Sequence, residues 1–381
     1  MCPGLTSAYV YAIIPRMHPP NLSTWQKLLE DSHFHNRLKI RGVMIDAIRT
    51  FFKLNGFMEI STPQLVRSPG TEPFLEVFET TLKIDNFPDR RAYLLTSPEY
   101  ALKKLIAGGI GSCFEICKSF RNGEGMSSTH NHEFTILEWY HVNGGYTDVM
   151  TDFELMVKAI AKQLVESTSL HHKVSIVEEN FSLTYQDKLY DLGRPWERLS
   201  VADAFNRYAQ VSESDLHTES KLTQIARDRG LSESVKLTWE EAFHLVMLNL
   251  IEPHLGTSKP TILFDYPTPL ASLAKKKTSD PRYAERFEVY LAGLELGNAF
   301  SELLDADEQE HRFRSELALR TKLGKTEYKL DEDYLAALRS GLPPTGGIAV
   351  GMDRLAMLFT DTTRIQDVIA FPIDELFMMN D

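Results

Sequence analysis

Apolar residues recur at helical spacing over 36–55, where Ile40, Val43, Met44, Ala47, Ile48 and Phe51 share one face. Gly56 predicts the stop, because glycine takes the positive φ of a helix end without strain. Phe57-Met58-Glu59-Ile60 reads as a short strand closed by Ser61-Thr62-Pro63. Residues 64–91 read as loop and strand pieces, and 91–95 as a strand. Thr96-Ser97-Pro98-Glu99 predicts a helix start: a hydroxyl cap, a proline in the first turn, then an acid near the helix dipole. Gly108-Gly109 ends that helix. Two strands follow at about 112–121 and 133–142, joined by a polar loop at 122–132. Residues 150–168 are predicted helical. Residues 195–255 read as a mostly helical insertion between Gly193-Arg194-Pro195 and Lys259-Pro260. Residues 284–303 read as a β-hairpin turning at Ala292-Gly293, followed by a helix at about 306–323. A Gly-rich strand (346–352), a helix (353–360) and a terminal strand near 367–371 complete the pattern. Antiparallel hairpins beside segregated helices predict an α+β fold, an antiparallel sheet flanked by helices.

Composition narrows the class. The 381 residues are 43% hydrophobic and 25% charged, an ordinary globular balance. A chain this long buries a large core without staples. Acidic residues outnumber basic ones 53 to 41, for a formal charge of −12. A nucleic-acid binder usually carries the opposite surplus, so no large nucleic-acid footprint is expected, although a local basic patch stays open. Three cysteines (Cys2, Cys113, Cys117) point to a reducing compartment and no disulfide framework. Cys113 and Cys117 fall in a strand, and no second Cys/His pair stands at zinc spacing, so no zinc site is expected. No apolar run reaches the ~20 residues that span a bilayer. The apolar stretch 8–14 lacks the preceding charges of a signal peptide. Residues 1–20 are expected to be a disordered leader within an extension at 1–34, with Met17 an alternative start. The expected location is the cytoplasm.

Three segments hold candidate chemistry. The first is Gly346-Gly347-Ile348-Ala349-Val350-Gly351-Met352-Asp353-Arg354. It is neither a P-loop nor G-x-G-x-x-G. Small residues at 347, 349 and 351 leave one strand face open to a flat ligand, and Arg354 at a helix start suits phosphate oxygens. A packed glycine strand with an arginine ion pair is the plainer alternative. The second runs from Phe114 through Arg121, Asn122, Gly123 and Glu124 to His130-Asn131-His132-Glu133-Phe134, then Leu137-Glu138-Trp139-Tyr140. It is a hairpin with Arg and Glu at its mouth, and its histidines read as loop polarity rather than metal ligands. The third is the hairpin of Arg286, Glu288, Glu295, Gly297, Asn298 and Glu302. A two-residue turn pairs 291 with 294 and 288 with 297, which puts Glu288 and Glu295 on one face as diagonal neighbours. Two such carboxylates can hold Mg²⁺ against ATP phosphates. Asn298 and Glu302 have the opposite parity, so a bulge near Gly297 is predicted if all four serve one pocket.

In this order the segments resemble the signature motifs of class II aminoacyl-tRNA synthetases. Helix 36–55 with the strand ending at Pro63 is similar to motif 1, residues 120–138 to motif 2, and 347–354 to motif 3. The resemblance spans about 35–372 and implies the class II synthetase catalytic fold over 35–381. Within the class the chain resembles lysyl-tRNA synthetase most, on Thr96-Ser97-Pro98-Glu99-Tyr100, His130-Asn131, Glu133-Phe134-Thr135, Glu295-Leu296-Gly297-Asn298 and Ser301-Glu302-Leu303 through Phe313. Motif 1 begins near residue 35, so no OB-fold anticodon domain is expected before it. Such a core resembles the elongation factor P lysine ligases, which attach (R)-β-lysine to a lysine of that factor. Thr96 to Tyr100 and Leu137-Glu138-Trp139-Tyr140 agree with those ligases better than with the synthetases.

The resemblance implies ATP and Mg²⁺, a homodimer formed through motif 1, elongation factor P as acceptor, and no stable tRNA or membrane binding. It gives Arg121 the α-phosphate and the substrate carboxylate. Arg354 would meet adenine or the γ-phosphate, and is the second catalytic arginine. Glu124 and His130 would line the ATP side, Phe134 would stack on adenine, and Glu288 and Glu295 would hold Mg²⁺. Glu99 would meet the amino group at the reacting end and Asn298 the carboxylate, with Ser97 and Gly297 also in the substrate-binding set. Glu138, Tyr140 and Glu302 would read the terminal ammonium, which needs carboxylate partners when buried, with a cation–π contribution from Tyr140 or Phe300. Three departures bear on substrate. Gly297 stands where the ligases have Ala, Ala299 where they have Gly, and the 124–130 loop is one residue longer, with His132 in place of Pro. α-Lysine therefore stands beside β-lysine, and a tRNA-like, lipid or small-amine acceptor beside elongation factor P. A non-catalytic paralogue would have lost Arg121, Glu295 or Arg354. An asparagine-synthetase-like paralogue would need a cation to meet its substrate's side chain.

Overall fold

The structure, a computed structural model, describes residues 22–377 except 126, 178, 179, 233 and 235. The leader expected at 1–20 and the start at Met17 lie outside them. Eight strands form one sheet: β1 (Met58–Glu59), β2 (Cys113–Phe120), β3 (Glu133–Val142), β4 (Glu197–Ser200), β5 (Thr261–Pro267), β6 (Tyr283–Leu291), β7 (Leu294–Ser301) and β8 (Thr345–Gly351). Their order is β1-β2-β3-β8-β7-β6-β5-β4. The inner pairs are antiparallel, as expected; the edge pairs β1–β2 and β4–β5 are parallel. The helices that matter for the site are α1 (Ser32–Leu54), α2 (Glu99–Ala107), α3 (Tyr146–Glu166), α4 (Ala306–Lys322), α5 (Glu332–Gly341) and α6 (Met352–Thr360).

Helix α1 starts earlier than the apolar spacing suggested. The Asp31 carboxylate accepts the His33 N–H at 2.8 Å and caps it. A further helix, Thr24–Glu30, precedes it inside the stretch read as an extension. At α2 the proline sits at the N-cap, one place before the predicted first turn, while the Ser97 hydroxyl accepts the Glu99 N–H at 3.2 Å. One sheet face packs on α1, α3 and α6 through Phe52, Trp139, Phe153 and Phe287, all fully buried. Each contributes roughly 1.5–3 kcal/mol over exposure, so this layer holds the fold and leaves the opposite face free for chemistry. Arg41 of α1 pairs with Asp353 of α6 at 2.7 Å, and Asp353 accepts the Thr135 N–H of β3 at 2.7 Å. The three motif-like segments are thereby tied together beneath the sheet.

The other face is half covered. Tyr100 of α2, Phe313 of α4 and Tyr334 of α5 stack into a second buried cluster. Where that cover ends, a cavity opens over β3, β8, β7 and β6. The stretch 195–255 is mostly helical, with its own apolar core around Phe205 and Phe243. It is stitched to the sheet by β4, which the pattern did not reveal. Small three-stranded sheets at 65–94 and 174–191 were also missed as sheets. The expected strand at 367–371 does not form. A 3-10 turn, Ile365–Asp367, stands there, and its backbone bonds go elsewhere: the Ile365 N–H donates to Ser128 O at 2.7 Å and the Phe371 N–H to Thr24 Oγ1 at 2.8 Å. The segment braces the 127–131 loop instead of joining the sheet.

Candidate active site

The hairpin β6–β7 carries the predicted bulge. Ala292 and Gly293 both have positive φ (55° and 77°), giving a two-residue turn that matches the strand twist. Leu291 pairs with Leu294 and Tyr290 with Glu295, but Val289 then pairs with Gly297 and Glu288 with Asn298. The extra residue is Leu296. It shifts the register by one, so the expected 288–297 pairing is corrected to 288–298. Glu288, Glu295 and Asn298 all come to the open face, with Phe300 and Glu302 following at alternate positions.

The cavity holds about 450 Å³. Eleven of the predicted residues line it: Ser97, Glu99, Arg121, Glu124, His130, Phe134, Glu288, Glu295, Gly297, Asn298 and Arg354. Glu138, Tyr140 and Glu302 lie just below, buried to 1%, 3% and 2% exposure. They form a floor rather than a wall.

At one end the site is cationic. Arg121 follows β2, its backbone N–H fixed to His132 O at 2.9 Å. Its guanidinium lies 5.2 Å from the Phe134 ring centroid and 3.7 Å from Glu124, and its buried Nε has no partner among the described residues. A buried guanidinium nitrogen without an acceptor suits an incoming anion. Arg354 reaches from the start of α6 to Glu295 O at 2.8 Å and to His130 Nε2 at 3.0 Å. Arginine can only donate, so Nε2 is an acceptor and Nδ1 carries the proton toward Ser127 Oγ, 2.7 Å away. Burial and then Arg354 lower the His130 pKa, which agrees with a neutral ring.

Glu288 and Glu295 stand beside this end. Burial and then Glu288 push Glu295 up to about 7. Two hard-oxygen donors that resist being charged together fit a divalent cation shared with phosphate oxygens. Among the described residues no group of three or more His, Cys, Asp or Glu forms a closed metal site. Cys113 and Cys117 are buried, and burial pushes the Cys113 thiol up to about 12. Arg286, named in the third segment but given no role there, donates to Glu288 at 2.7 Å and to the Asn298 side-chain Oδ1 at 3.2 Å. The Asn298 amide NH₂ is left to donate into the cavity.

The other end is anionic. The Ser97 hydroxyl donates to Glu138 and Tyr140 donates to it at 3.2 Å. Burial and then Glu99 push Glu138 up to about 8. Sequence reading missed the residue at the centre, Lys103 of α2. Its ammonium pairs with both Glu99 and Glu302 and lies 5.8 Å from the Tyr140 ring centroid. Burial opposes its charge, but Glu302 and Glu99 outweigh that and hold it well above the usual lysine pKa. Burial raises Glu302 while Lys103 works against the rise; Glu302 Oε1 has no hydrogen-bond partner among the described residues. The only signal for Lys103 was its place one turn after Glu99. One lysine against Glu99, Glu138 and Glu302 leaves the floor acidic, so it does not supply the free cation that an asparagine-synthetase-like paralogue would need to meet its substrate's side chain.

Two expectations about small residues are corrected. A Cβ at Gly347 would collide with Tyr140 and stand 2.6 Å from Glu302 Oε1, so Tyr140 and Glu302 fill that space and only Ala349 and Gly351 border the cavity. Gly297 borders it through its backbone. A Cβ there would stand 2.9 Å from Ala349 O and 3.2 Å from Ile348 and Val350, pointing toward β8 and not toward a ligand. Ala299 is fully buried on the opposite face.

The motif order and this geometry define a class II synthetase catalytic unit. The chain belongs to the tRNA synthetases of class II (D, K and N), whose family model matches residues 23–375. Within that family it is similar to lysine–tRNA ligases. The one from Dehalococcoides mccartyi is 37% identical over 349 residues, covering 91% of this chain and 66% of the relative. Those from Pectobacterium carotovorum and Colwellia psychrerythraea are 34% and 35% identical, each over 91% of this chain and over 65% and 67% of their own length. The chain thus spans about two thirds of these relatives. No helix among the described residues is long and apolar enough to cross a membrane.

Proposed function

We propose that the protein activates lysine or (R)-β-lysine with ATP, as an aminoacyl-adenylate, and passes the acyl group to an amine. One observation carries this reading: the cavity runs from Arg121, whose buried Nε has no partner among the described residues, to a carboxylate floor that already holds an ammonium, that of Lys103. A substrate with a carboxylate at one end and an ammonium at the other fits that polarity. Arg121 and the Asn298 amide hold the substrate carboxylate beside the α-phosphate. A carboxylate oxygen attacks phosphorus and the bond to pyrophosphate breaks. Arg121 and Arg354 offset the charge on the phosphate oxygens, and no side chain moves a proton in this step. Glu288 and Glu295 would hold Mg²⁺, which supplies further charge neutralisation on those oxygens when bound. Phe134 offers adenine a face. An acceptor amine then attacks the acyl carbon and AMP leaves.

Elongation factor P is the acceptor proposed first, on the likeness of 96–100 and 137–140 to its ligases. The relatives named lysine–tRNA ligase favour a second reading, with α-lysine and a tRNA-like acceptor. The protein works as a homodimer through α1 and β1, where Leu54 (82% exposed) and Met58 (52%) stand open. The test is ATP–pyrophosphate exchange with α-lysine, (R)-β-lysine and a panel of other amino acids, then transfer from the preferred one to elongation factor P and to tRNA. Exchange confined to a lysine isomer supports the reading. No exchange with any amino acid sinks it.

A further inference from the structure

Glu72 lies outside all three motif-like segments, yet it lines the cavity. It projects from residues 70–76, a stretch the pattern left as loop. That stretch is anchored from below. Arg320 of α4, 1% exposed, donates to Glu72 O at 2.7 Å and to Leu75 O at 2.6 Å, and its guanidinium lies 4.6 Å from the Tyr328 ring centroid. The Thr71 hydroxyl donates to Glu316 and lies 3.3 Å from Tyr100 OH. Gly70, with φ 137°, leaves room for the Glu72 carboxylate; a Cβ there would collide with Glu72 Oε2. The backbone that carries the Glu72 side chain is therefore held in place beside the cavity.

Among the described residues no other residue donates a hydrogen bond to the Glu72 carboxylate. The charges acting on it are Glu99 and Glu316, which oppose ionisation, and Arg121, which favours it. Glu72 lines the same cavity as Ser97, Glu99 and Arg121, and so stands at the reacting end, across a gap from the guanidinium that takes the substrate carboxylate and from the Glu99 carboxylate. An amino group one or two carbons from a bound carboxylate falls in that gap. A carboxylate held in a cavity without a partner costs stability unless a ligand supplies one.

We infer that Glu72 is a substrate-binding residue, which with Glu99 receives the amine adjacent to the reacting carboxylate. This deepens the amino-acid-activation reading and rests on it. The two carboxylates make the reacting end select amino acids over ω-amino acids that lack the near amine. No reaction step changes; only ground-state and transition-state binding of that amine does.

The experiment is ATP–pyrophosphate exchange by the full chain and by Glu72→Gln, with the preferred lysine isomer and with 6-aminohexanoate, tested as substrate or as competitor of lysine. The expected result is a KM for lysine raised at least tenfold in Glu72→Gln, with the KM for ATP within twofold and the 6-aminohexanoate constant unchanged. Equal losses with both compounds would mean that Glu72 only shapes the loop, and would overturn the inference. So would a lysine KM equal to that of the original protein. Should Glu72→Gln fail to fold, Glu72→Asp, which keeps the charge and shortens its reach, is measured by the same comparison. Absence of lysine-dependent exchange in the unmodified protein would fell the activation reading itself; exchange without a Glu72 effect fells only this inference.

Discussion

The two ends of the cavity solve opposite problems in different ways. The phosphate end uses arginines that remain partly solvated and are fixed through backbone contacts: Arg121 to His132, Arg354 to Glu295 and Thr129. The amino-acid end sets Glu138 and Glu302, buried to 1% and 2% exposure, and the half-buried Glu99 around one lysine. A guanidinium keeps its charge anywhere, so its position alone matters. A buried carboxylate must have its charge maintained by neighbours. The phosphate end is therefore a matter of aim, whereas the amino-acid end is a matter of charge balance. Substitutions at the first should cost rate and leave stability nearly untouched. Substitutions at the second should move stability, pH dependence and amino-acid affinity together.

The largest effect is expected at Arg121. Replacing it by Ala removes a donor aimed at developing charge, and should lower pyrophosphate exchange about 10³-fold. Lysine in its place should recover little, because a single ammonium lacks the planar fork. The denaturant midpoint should barely move. A large stability loss in Arg121→Ala would break the contrast between the ends.

Next comes Lys103. Lys103→Met leaves Glu99 and Glu302 buried without their cation and should destabilise the fold by about 3 kcal/mol, measured by denaturant unfolding. The double variant Lys103→Met/Glu302→Gln should regain part of that loss, because the deeper of the two stranded carboxylates is gone and only Glu99 is left without its cation. A double variant no better than the single one would show that Lys103 stabilises by packing instead.

Glu138 gives a smaller effect with a distinctive pH signature. Glu138→Gln should raise the KM for lysine about tenfold and leave the KM for ATP unchanged. Burial lifts the Glu138 carboxyl to about 8 and Glu72 to about 7, above the ordinary glutamate value of 4.5. An ammonium binds the ionised form, so lysine affinity should rise as pH increases through 7–8, and binding should release protons. Stability without substrate runs the other way. The folded state holds protons that the unfolded chain has lost, so these two groups make the fold less stable as pH rises from about 4.5 toward 7–8. Calorimetry in buffers of different ionisation enthalpy reads the protons directly. A lysine KM flat between pH 6.5 and 8.5 would contradict the assignment.

The same contrast explains what could be read from sequence. The phosphate end is local in the chain: Arg121, Glu124, His130 and Phe134 lie within one hairpin, and Arg354 follows a Gly-rich strand. Strand parity and the turn at Ala292-Gly293 were enough to require the bulge that brings Glu295 and Asn298 to one face. The amino-acid end is assembled from 72, 99, 103, 138 and 302, and no spacing rule links them. Lys103 looked like one more polar residue on a helix because its partners come from the residue just after β7 and from its own preceding turn. Glu72 sat in a loop whose path depends on Arg320, about 250 residues away. The missed edge strand β4 and the phantom strand at 367–371 have one cause. An edge strand is decided by its partner, and periodicity reports only the chain itself.

The smallest effect is expected at Gly297, the position that first raised the question of lysine isomer. Its missing methyl would not point at a ligand. It would press on Ala349 O at 2.9 Å and on the Ile348 and Val350 side chains, forcing β7 and β8 apart. Gly297→Ala should therefore cost about 1 kcal/mol of stability through overpacking. Preference between α-lysine and (R)-β-lysine should change only as far as strand spacing shifts Asn298, which sits one residue on and opposite Ala349. The expected change in the ratio of kcat/KM for the two isomers is less than tenfold, about 1.4 kcal/mol or less. A larger change with stability intact would mean that the strand yields and that isomer choice is set by the backbone of β7. A small change would turn the search for the isomer determinant to Glu72 and Glu99, which face the amine itself.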